Sequence, residues 1–465
     1  MPLLRRTHWR VGAALAGAAA LAAGVLSVAA PASAQDAPAS AAAAPKADAT
    51  RTPYKAAYNV KLSTDAAGVS WTGTQSITFS NASADPLSEI YLRLWDNWRG
   101  GCNASQPIKI TNFTGGTLAP LTVNCTAGKV TLPKALAKDE SATVSFSLSI
   151  VAPNISDRFG RNGAYNYFGN ALPVLAVKDG AGWHLDPYAD TGESFYALAS
   201  DYTVVLDHPT AMKTPATGIR SEVGNGPGRT LTTTVGKQVR EFAWADGPYQ
   251  KSSTTANGGV AVNTYWTSDL SASTGAQMQS VSVSALNDYG SKYGQFPYGE
   301  MDVVIDGTLP FGGMEYPGVV FDVPSQNAAA HEIGHQWFYG IVGNDEYRAP
   351  WLDESFTTYI TDRHFGDEGS GCSINWSTSA EKMTNTMAYW DSRGGPYSAV
   401  IYDGGSCTLH DLRRTLGGTA MDKLMADYAK SHWYGVSTTA DFKAAAQAAT
   451  TVNLTSFWTS HRVEG

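Results

Sequence analysis

Four residues in the second half of the chain have the types and the spacing of a metal-dependent hydrolytic centre. His331 and His335 are four residues apart and Glu332 follows the first of them, so the segment reads H-E-x-x-H. On a helix, residues four apart lie on one face, and both imidazoles can therefore reach a single ion. Glu354 follows after 18 intervening residues. That distance is enough for the chain to turn and bring a second helix back towards the ion.

Two imidazoles and one carboxylate predict one zinc ion as the cofactor. Zinc accepts nitrogen and oxygen ligands, and three protein ligands leave one coordination position open for catalysis. Zinc held in this way lowers the pKa of a water to about 7 and polarises a carbonyl group. Glu332 is expected to take the proton from that water and to deliver it later to a leaving amine. Because an H-E-x-x-H pattern also arises by chance on solvated helix faces, Glu354 is the residue that favours the metal site.

The surrounding patterns predict a β-rich first half. Apolar and polar residues alternate with a period of two at 71–79, 144–150 and 202–206, and 90–95 has the composition of a central strand. Gly, Asn, Asp and Pro clusters separate these segments at the spacing of hairpins and loops. We therefore predict a multidomain α+β protein whose N-terminal domain is all-β and built from antiparallel sheet.

The second half has the patterns of helices. Apolar residues recur at helical spacing from Met278, with Gly290 as the expected stop, and 301–305 is a short buried strand. Further helices are predicted at 326–342, 353–364, 406–416, 419–430, 439–449 and 453–463. The polar segment near 250–262 marks the boundary. We assign residues 51–250 to the β domain and 251–465 to a catalytic zinc domain.

The N-terminus predicts export. Residues 1–34 contain a basic start, an apolar run at 11–30 and an Ala-Ser-Ala cleavage site at 32–34, as in a signal peptide. The apolar run is long enough to span a bilayer, so a retained anchor stays an alternative, although its Ala- and Gly-rich composition favours cleavage. Residues 35–50 are expected to form a flexible linker. We expect a secreted, extracellular protein without stable membrane association after cleavage.

Charge and cysteine content agree with export. The formal net charge is −8 and becomes about −11 once the three Arg of the leader are removed. This balance argues against nucleic acid as a partner, because phosphate neutralisation needs clustered Lys and Arg. The chain has four cysteines and no C-x-x-C motif, so two disulfides are favoured over a cysteine-based metal site. Of three possible connectivities, we expect the near-neighbour pairs, Cys102 with Cys125 and Cys372 with Cys407.

These motifs resemble those of the M1 zinc aminopeptidases of the gluzincin group, and within it the short secreted bacterial type. The resemblance rests on H-E-x-x-H, the 18-residue gap to Glu354 in W-L-x-E-S-F, the Gly-Gly-Met-Glu segment at 312–315 and Tyr402 in the segment 400–405. It extends over about 54–465. The resemblance implies a thermolysin-like, mainly helical zinc peptidase domain. It also implies an activity that removes N-terminal residues from peptides.

The resemblance further implies roles for individual residues. The substrate-binding motif of the family, G-x-M-E-N, matches Gly312, Gly313, Met314 and Glu315. Its Glu binds the free α-amine, so Glu315 is expected to do the same and peptides with a free N-terminus are the expected partners. Tyr402 matches the tyrosine that supports the tetrahedral oxyanion. The family usually adds a second acid or Gln from the β domain, which the sequence does not place here; Glu193 and Asp186 are guesses and are left out of the predicted site.

Some features depart from the family or stay open. Tyr316 replaces the family's Asn, and Gly404 stands where Lys is usual. Since the chain ends about 111 residues after Glu354, without the large helical domain of many relatives, an open cleft is expected. Asp353 could accept a hydrogen bond from a zinc-bound imidazole or cap the second helix. A zinc endopeptidase of the same group and a non-catalytic extracellular binding protein on a peptidase fold stay as alternative functions.

Overall fold

The computed structural model describes residues 51–103, 105–372 and 374–464. The predicted signal peptide, 1–34, and the predicted linker, 35–50, lie outside the described residues. Within the described part of the chain, no helix combines the length and the apolar character needed to cross a membrane.

Strands dominate the first part of the described chain. They are β1 Tyr54–Thr64, β2 Ser70–Ser80, β3 Leu87–Arg93, β4 Ile108–Thr114, β5 Thr117–Leu118, β6 Ala127–Leu136, β7 Ser141–Val151, β8 Phe159–Asn162, β9 Tyr165–Phe168, β10 Val174–Leu175, β11 Lys178–Asp179, β12 Gly182–Trp183, β13 Ser200–Pro209, β14 Ile219–Gly224, β15 Arg229–Val239 and β16 Trp244–Asp246. Short 3-10 helices lie at Trp95–Trp98 and Gly101–Asn103.

These strands form one large sheet and several small ones. The large sheet has the order β14-β15-β13-β1-β2-β7-β4, and β10-β3-β6-β5 and β16-β9-β8 form two further sheets beside the hairpin β11-β12. Alternate residues of β7 and of β13 are buried, as their period-two patterns predict. Neighbours in the large sheet are antiparallel except β1 and β13, which are parallel. The long connection between those two strands makes a parallel crossover possible.

A smaller sheet and most of the helices make up the second part. The strands are β17 Gln250–Thr255, β18 Ala261–Trp266, β19 Glu300–Ile305, β20 Gly313–Met314 and β21 Val319–Asp322, in the sheet order β17-β18-β19-β21-β20. The helices are α1 Ala272–Tyr293, α2 Gln326–Gly334, α3 Trp351–His364, α4 Met387–Arg393, α5 Gly405–Leu416, α6 Gly418–Ser431, α7 Thr439–Ala448 and α8 Thr455–Ser460. A 3-10 turn lies at Asn257–Gly259 and a π-helical segment at Ala399–Gly404. The predicted order of an all-β part followed by a mainly helical part is confirmed, whereas the boundary at 250/251 stays a prediction.

The predicted helix at 326–342 is too long. Helix α2 ends at Gly334, and His335 is its C-cap. Beyond it the backbone leaves the α-helical pattern: the N–H groups of Ile341 and Val342 bond to carbonyls five residues back, and Tyr339 has a φ of 131°. The buried guanidinium of Arg240, from the β-rich part, holds this turn by donating to the carbonyls of Tyr339 (2.8 Å) and Ile341 (3.0 Å).

Other element boundaries also differ from the predictions. The stop predicted at Gly290 is wrong, because α1 continues to Tyr293 and ends at Gly294, which has a φ of 121° that favours glycine. Strand β3 ends at Arg93, short of the predicted 95, and the Arg93 guanidinium lies 3.6 Å from the ring centre of Trp95. The last helix is shorter than the predicted 453–463.

One histidine joins the two parts of the chain. His184 follows the hairpin β11-β12, and its Nδ1 lies 2.8 Å from the carboxylate of Asp345 in the loop before α3. Its Nε2 lies 2.9 Å from the carboxylate of Asp179. The imidazole is thus held between two acids, one from each part of the chain.

Candidate metal centre and active site

Helices α2 and α3 bring three of the predicted site residues together. His331 Nε2 lies 3.0 Å from His335 Nε2, and each of these nitrogens lies 3.2 Å from Glu354 Oε2. Three atoms about 3.1 Å apart surround a point only about 1.8 Å from each, so all three can lie at the 2.0–2.2 Å typical of zinc ligands. Two imidazole nitrogens and a carboxylate oxygen also have the ligand chemistry of a catalytic zinc site. The residues present therefore fit one zinc ion.

Close packing of the two helices positions these ligands. Helix α2 begins at Ser325, whose side chain accepts a hydrogen bond from the N–H of Ala328. At Gly334, an added Cβ would lie 2.9 Å from Cγ2 of Thr357 on α3. Glycine at this position therefore lets α2 approach α3 closely enough for imidazoles on one helix to meet a carboxylate on the other.

The orientation of His335 is set by a backbone carbonyl. Its Nδ1 lies 3.1 Å from the carbonyl oxygen of Phe338 and 3.1 Å from Oγ1 of Thr357. When Nδ1–H donates to the carbonyl, Nε2 is left with its lone pair towards the ion, which is the usual arrangement of a zinc-bound imidazole. The sequence did not point to this carbonyl, because it belongs to the turn that replaces the end of the predicted helix.

Both roles considered for Asp353 are wrong. The Asp353 carboxylate accepts hydrogen bonds from the N–H of Glu354 (2.7 Å) and from Nδ2 of Asn344 (3.1 Å), and from neither imidazole. The residue that precedes α3 as its N-cap is Pro350. Asp353 therefore stabilises the first turn of α3 from inside the helix and steadies the backbone of the Glu354 ligand.

Glu332 lies beside the three ligands and is buried. Burial raises the pKa of this carboxyl well above its ordinary value, and the carboxyls of Glu315 and Asp322 raise it further. The imidazole of His335 acts in the opposite direction and lowers this pKa. Its Oε2 has no hydrogen-bond partner among the described residues. A carboxyl whose pKa is raised in this way is suited to accept a proton and to return it.

Glu354 has the opposite electrostatic character. Burial alone would raise the pKa of its carboxyl, but the imidazoles of His335 and His331 outweigh burial and hold the pKa well below its ordinary value. Glu354 therefore has the charge of an anionic ligand, whereas the raised pKa of Glu332 is suited to an acid–base group. The environments of the two carboxyls separate the two roles.

Glu315 lies at the end of the short strand pair β20-β21 and is buried. Burial and the nearby carboxyl of Glu193 raise the pKa of Glu315 well above its ordinary value, although His335 opposes them. Glu193 comes from the β-rich part and forms an ion pair with Arg158. Asp186, the other candidate for a second acid, instead pairs with Arg348 at 3.2 Å.

Tyr402 lies in the π-helical segment Ala399–Gly404, an element that the sequence analysis did not predict. Its hydroxyl donates to Oε1 of Glu354, and its ring stacks on His331 with 5.7 Å between ring centres. Ser355 on α3 donates to the carbonyl of Ile401 (2.6 Å) and so holds this segment against the metal-binding helix. The structure thus places a tyrosine O–H at the edge of the ligand set.

The two departures from the family pattern have structural explanations. Tyr316 is buried and its hydroxyl donates to Oδ1 of Asn170 (2.8 Å), which links the segment after β20 to the β-rich part. At Gly404, an added Cβ would lie 2.7 Å from Ile374 and 2.9 Å from Trp376. A lysine there would therefore require the neighbouring side chains to move.

Two disulfides are present in the described chain. Cys102 is bonded to Cys125 in the β-rich part, and Cys372 to Cys407 in the helical part. The second bond joins the segment after α3 to α5, five residues beyond Tyr402. It therefore ties the start of α5, just after the tyrosine-bearing segment, to the chain that follows the helix carrying Glu354.

Comparison with protein families identifies the helical part. Residues 279–461 match the description "Peptidase family M1 domain". Leucine aminopeptidase 2 of Coccidioides immitis is 31% identical over 166 residues, which make up 29% of this chain and 26% of that protein. The chain spans about a quarter of the length of the curated relatives that it matches.

Solved structures resemble the chain over most of its length. The M1 zinc metallopeptidase of Deinococcus radiodurans superposes with a TM-score of 0.68 at 16% identity, covering 90% of this chain and 94% of that one. A mutant of that peptidase bound to a Tyr-Ser-Ala substrate gives a TM-score of 0.67 at 16% identity and covers 89% and 94%. At this identity the likeness concerns the fold. Residues 279–461 therefore match the Peptidase family M1 domain, and the chain has the two-domain fold seen in M1 zinc metallopeptidases.

Proposed function

We propose that this protein is a zinc-dependent aminopeptidase that removes the N-terminal residue from peptides with a free amine. The observation that carries the proposal is the convergence of His331, His335 and Glu354 on one point, with the unpaired Oε2 of Glu332 beside them. The leucine aminopeptidases and the peptide-bound M1 metallopeptidase that resemble this chain support the same activity.

In the proposed reaction, His331, His335 and Glu354 hold one zinc ion. When bound, this ion activates a water and polarises the scissile carbonyl. Glu332 takes a proton from the attacking water and passes it to the nitrogen of the leaving peptide. Because Glu332 is buried and has a raised pKa, it can give the proton back as readily as it accepts it.

Glu315 would bind the ammonium group of the substrate. Its carboxyl is buried, and burial together with the nearby carboxyl of Glu193 disfavours its ionisation. A substrate ammonium beside Glu315 relieves this effect and forms charge-assisted hydrogen bonds with its carboxylate. An acetylated amine carries no charge and gains neither effect. The site therefore favours the first residue of a chain over an internal one.

Tyr402 would stabilise the oxyanion that develops on the scissile carbonyl. Its hydroxyl already donates to the oxygen of a ligand, Glu354 Oε1, which places it at the rim of the ligand set. Burial and the Glu354 carboxylate raise the pKa of the hydroxyl well above its ordinary value, so it keeps its proton and acts as a donor. A donor fixed in this position needs little rearrangement as charge develops.

A panel of fluorogenic aminoacyl amides tests the proposal. We expect hydrolysis of the free amides, no hydrolysis of their N-acetylated forms, and loss of activity on chelation that added zinc restores. Glu332→Gln should keep its zinc, measured by metal analysis, and lose nearly all activity. Equal cleavage of free and acetylated substrates would make the protein an endopeptidase. A zinc-loaded protein that is inert across a broad peptide library would instead indicate a binding protein.

We also propose that the protein is a short, secreted, bacterial-type member of this group. The leader pattern at 1–34 and the two disulfides support export, since disulfides persist in oxidising compartments. The mass of the protein recovered from culture medium tests this proposal. A product that begins at Gln35 supports signal cleavage, and a cell-associated product of full length contradicts it.

A further inference from the structure

Asp322, the last residue of β21, is a buried acid that the mechanism above does not use. Its side chain is completely enclosed, at 0% exposure. Neither of its carboxyl oxygens has a hydrogen-bond partner among the residues that the structure describes. Buried carboxyls nearly always have such partners, because an unpaired ionised group loses its hydration without compensation. The position of Asp322 therefore requires an explanation.

The strand pairing places Asp322 next to the proposed catalytic base. Asp322 is directly opposite Gly313 in the antiparallel pair β20-β21. The N–H of Val323 donates to the carbonyl of Gly312, so the pair of Gly313 and Asp322 lies between ladder hydrogen bonds. In such a pair the Cα atoms are about 4.5 Å apart and both side chains project from the same face.

Glu332 occupies the place that a side chain of Gly313 would take. A Cβ built at Gly313 would overlap the carboxyl group of Glu332. The Glu332 carboxyl therefore lies against the same face of β20-β21 as Asp322.

One proton satisfies both acids. Asp322 lacks a donor in its surroundings, and the enclosed Oε2 of Glu332 lacks one as well. A neutral Asp322 avoids the penalty for burying an unpaired charge and provides one O–H donor. Burial raises the pKa of Asp322 well above its ordinary value, in agreement with a neutral acid. Glu332 Oε2 is the acceptor that the geometry offers to this donor.

We propose that Asp322 is a neutral carboxylic acid whose O–H donates to Oε2 of Glu332 and thereby holds the Glu332 carboxylate in place. Asp322 is then a positioning residue, and its effect on catalysis rests on the function proposed above. With Oε2 engaged, Oε1 of Glu332 is the oxygen that faces the attacking water. No residue on helix α2 itself provides this restraint among those described, so the restraint comes from the strand pair that also carries Glu315.

Infrared spectroscopy of the metal-free protein tests the hydrogen bond without any need for activity. A neutral carboxylic acid has a C=O stretch separated from the carboxylate bands. We expect the difference spectrum of wild type minus Asp322→Asn to contain such a band. We also expect Glu332→Gln to shift the frequency of this band, because the group that accepts the Asp322 hydrogen bond changes from a carboxylate to an amide. Asp246→Asn is the matched control, since Asp246 is a buried acid whose partners are Asn166 and Trp71. Its band should not respond to Glu332→Gln.

Kinetics of the zinc-loaded enzyme test the positioning role. Asp322→Asn keeps an N–H donor and should retain kcat within about threefold, whereas Asp322→Val removes the donor and should lower kcat about 10- to 100-fold at an unchanged KM. Asp322→Asn is expected to be about as stable as wild type, and Asp322→Val is expected to fold with a lowered Tm, because it leaves the buried Oε2 of Glu332 without a donor. Thermal unfolding checks this expectation.

The outcomes separate this proposal from the proposed function. If Asp322 contributes no neutral-acid band, or if its band ignores Glu332→Gln, the hydrogen bond is absent and the proposal fails. If Asp322→Val folds, binds zinc and retains full kcat, the positioning role fails. If wild type hydrolyses no aminoacyl amide while the band responds as described, the proposed function fails and the hydrogen bond stands.

Discussion

Replacing Tyr402 by Phe removes a single hydroxyl from the site and leaves the ring in place. The ring stacks on His331 and packs near Tyr397, with 5.7 and 5.9 Å between ring centres, so these contacts persist in Tyr402→Phe. The lost group is the donor to Oε1 of Glu354, which we propose also supports the oxyanion. None of the three proposed zinc ligands is altered, and we therefore expect the zinc content to be unchanged.

The magnitude follows from the number of donors removed. Removal of one preorganised oxyanion donor costs about 2.7–4 kcal/mol of transition-state stabilisation, which corresponds to a kcat lowered about 100- to 1,000-fold. Because the substrate carbonyl is uncharged before the attack, the loss should appear mainly in kcat and leave KM nearly unchanged. In the metal-free protein, loss of a hydrogen bond to a charged carboxylate should lower the free energy of unfolding by about 1.5–3 kcal/mol.

Tyr397→Phe provides the matched control. Tyr397 is also buried and lies only five residues away, but its hydroxyl has no hydrogen-bond partner in the described part of the chain. Removal of an unsatisfied hydroxyl should leave kcat unchanged and should not destabilise the fold. Steady-state kinetics on one free aminoacyl amide, with zinc quantified in each preparation, compares the two variants. If Tyr402→Phe keeps kcat within threefold of wild type at full zinc content, the oxyanion role is refuted.

Three further predictions concern other parts of the molecule. Glu315→Gln should lower kcat/KM for free aminoacyl amides about 10- to 100-fold, because a charge-assisted hydrogen bond is lost. If the variant prefers free over N-acetylated substrates as strongly as wild type does, this prediction is contradicted. Replacing both Cys372 and Cys407 by Ser should lower the free energy of unfolding by about 3–4 kcal/mol, because the bond closes a loop of 35 residues; an unchanged denaturant midpoint would argue against it. Burial lowers the pKa of His184, but hydrogen bonds to its two carboxylate partners outweigh burial and raise it. The stabilisation is thus complete below the unfolded-state pKa of about 6.5 and is lost as pH rises through the folded-state pKa, so Tm should fall more with rising pH in wild type than in His184→Gln.

Local patterns were sufficient for the large elements and for the ligand spacing. The period-two alternation of β7 and β13 corresponds to strands with one buried face, and H-E-x-x-H lies where α2 ends. Both signals depend on residues close together in the chain, which share the periodicity of the element that they form. The parallel pairing of β1 with β13 has no such local signal, because it joins strands more than 100 residues apart.

Element ends were predicted less well where distant groups contact the backbone. The turn that follows α2 is held by the guanidinium of Arg240, which donates to the carbonyls at 339 and 341 from about 100 residues earlier in the chain. The π-helical segment that carries Tyr402 is held by a side chain of α3, through Ser355. Neither contact can be read from the periodicity of the segment itself.

By itself, the sequence determined the zinc-type donor set, the helical spacing of the two imidazoles and the order of a β-rich and a helical part, since each follows from residue type and local period. Only the tertiary structure decided which carbonyl orients His335, that Asp353 steadies the Glu354 backbone instead of an imidazole, and that Asp322 lies against the proposed base. The physical reason is that a hydrogen bond forms between atoms about 3 Å apart. Which atoms come that close is set by the packing of elements that are distant in the chain.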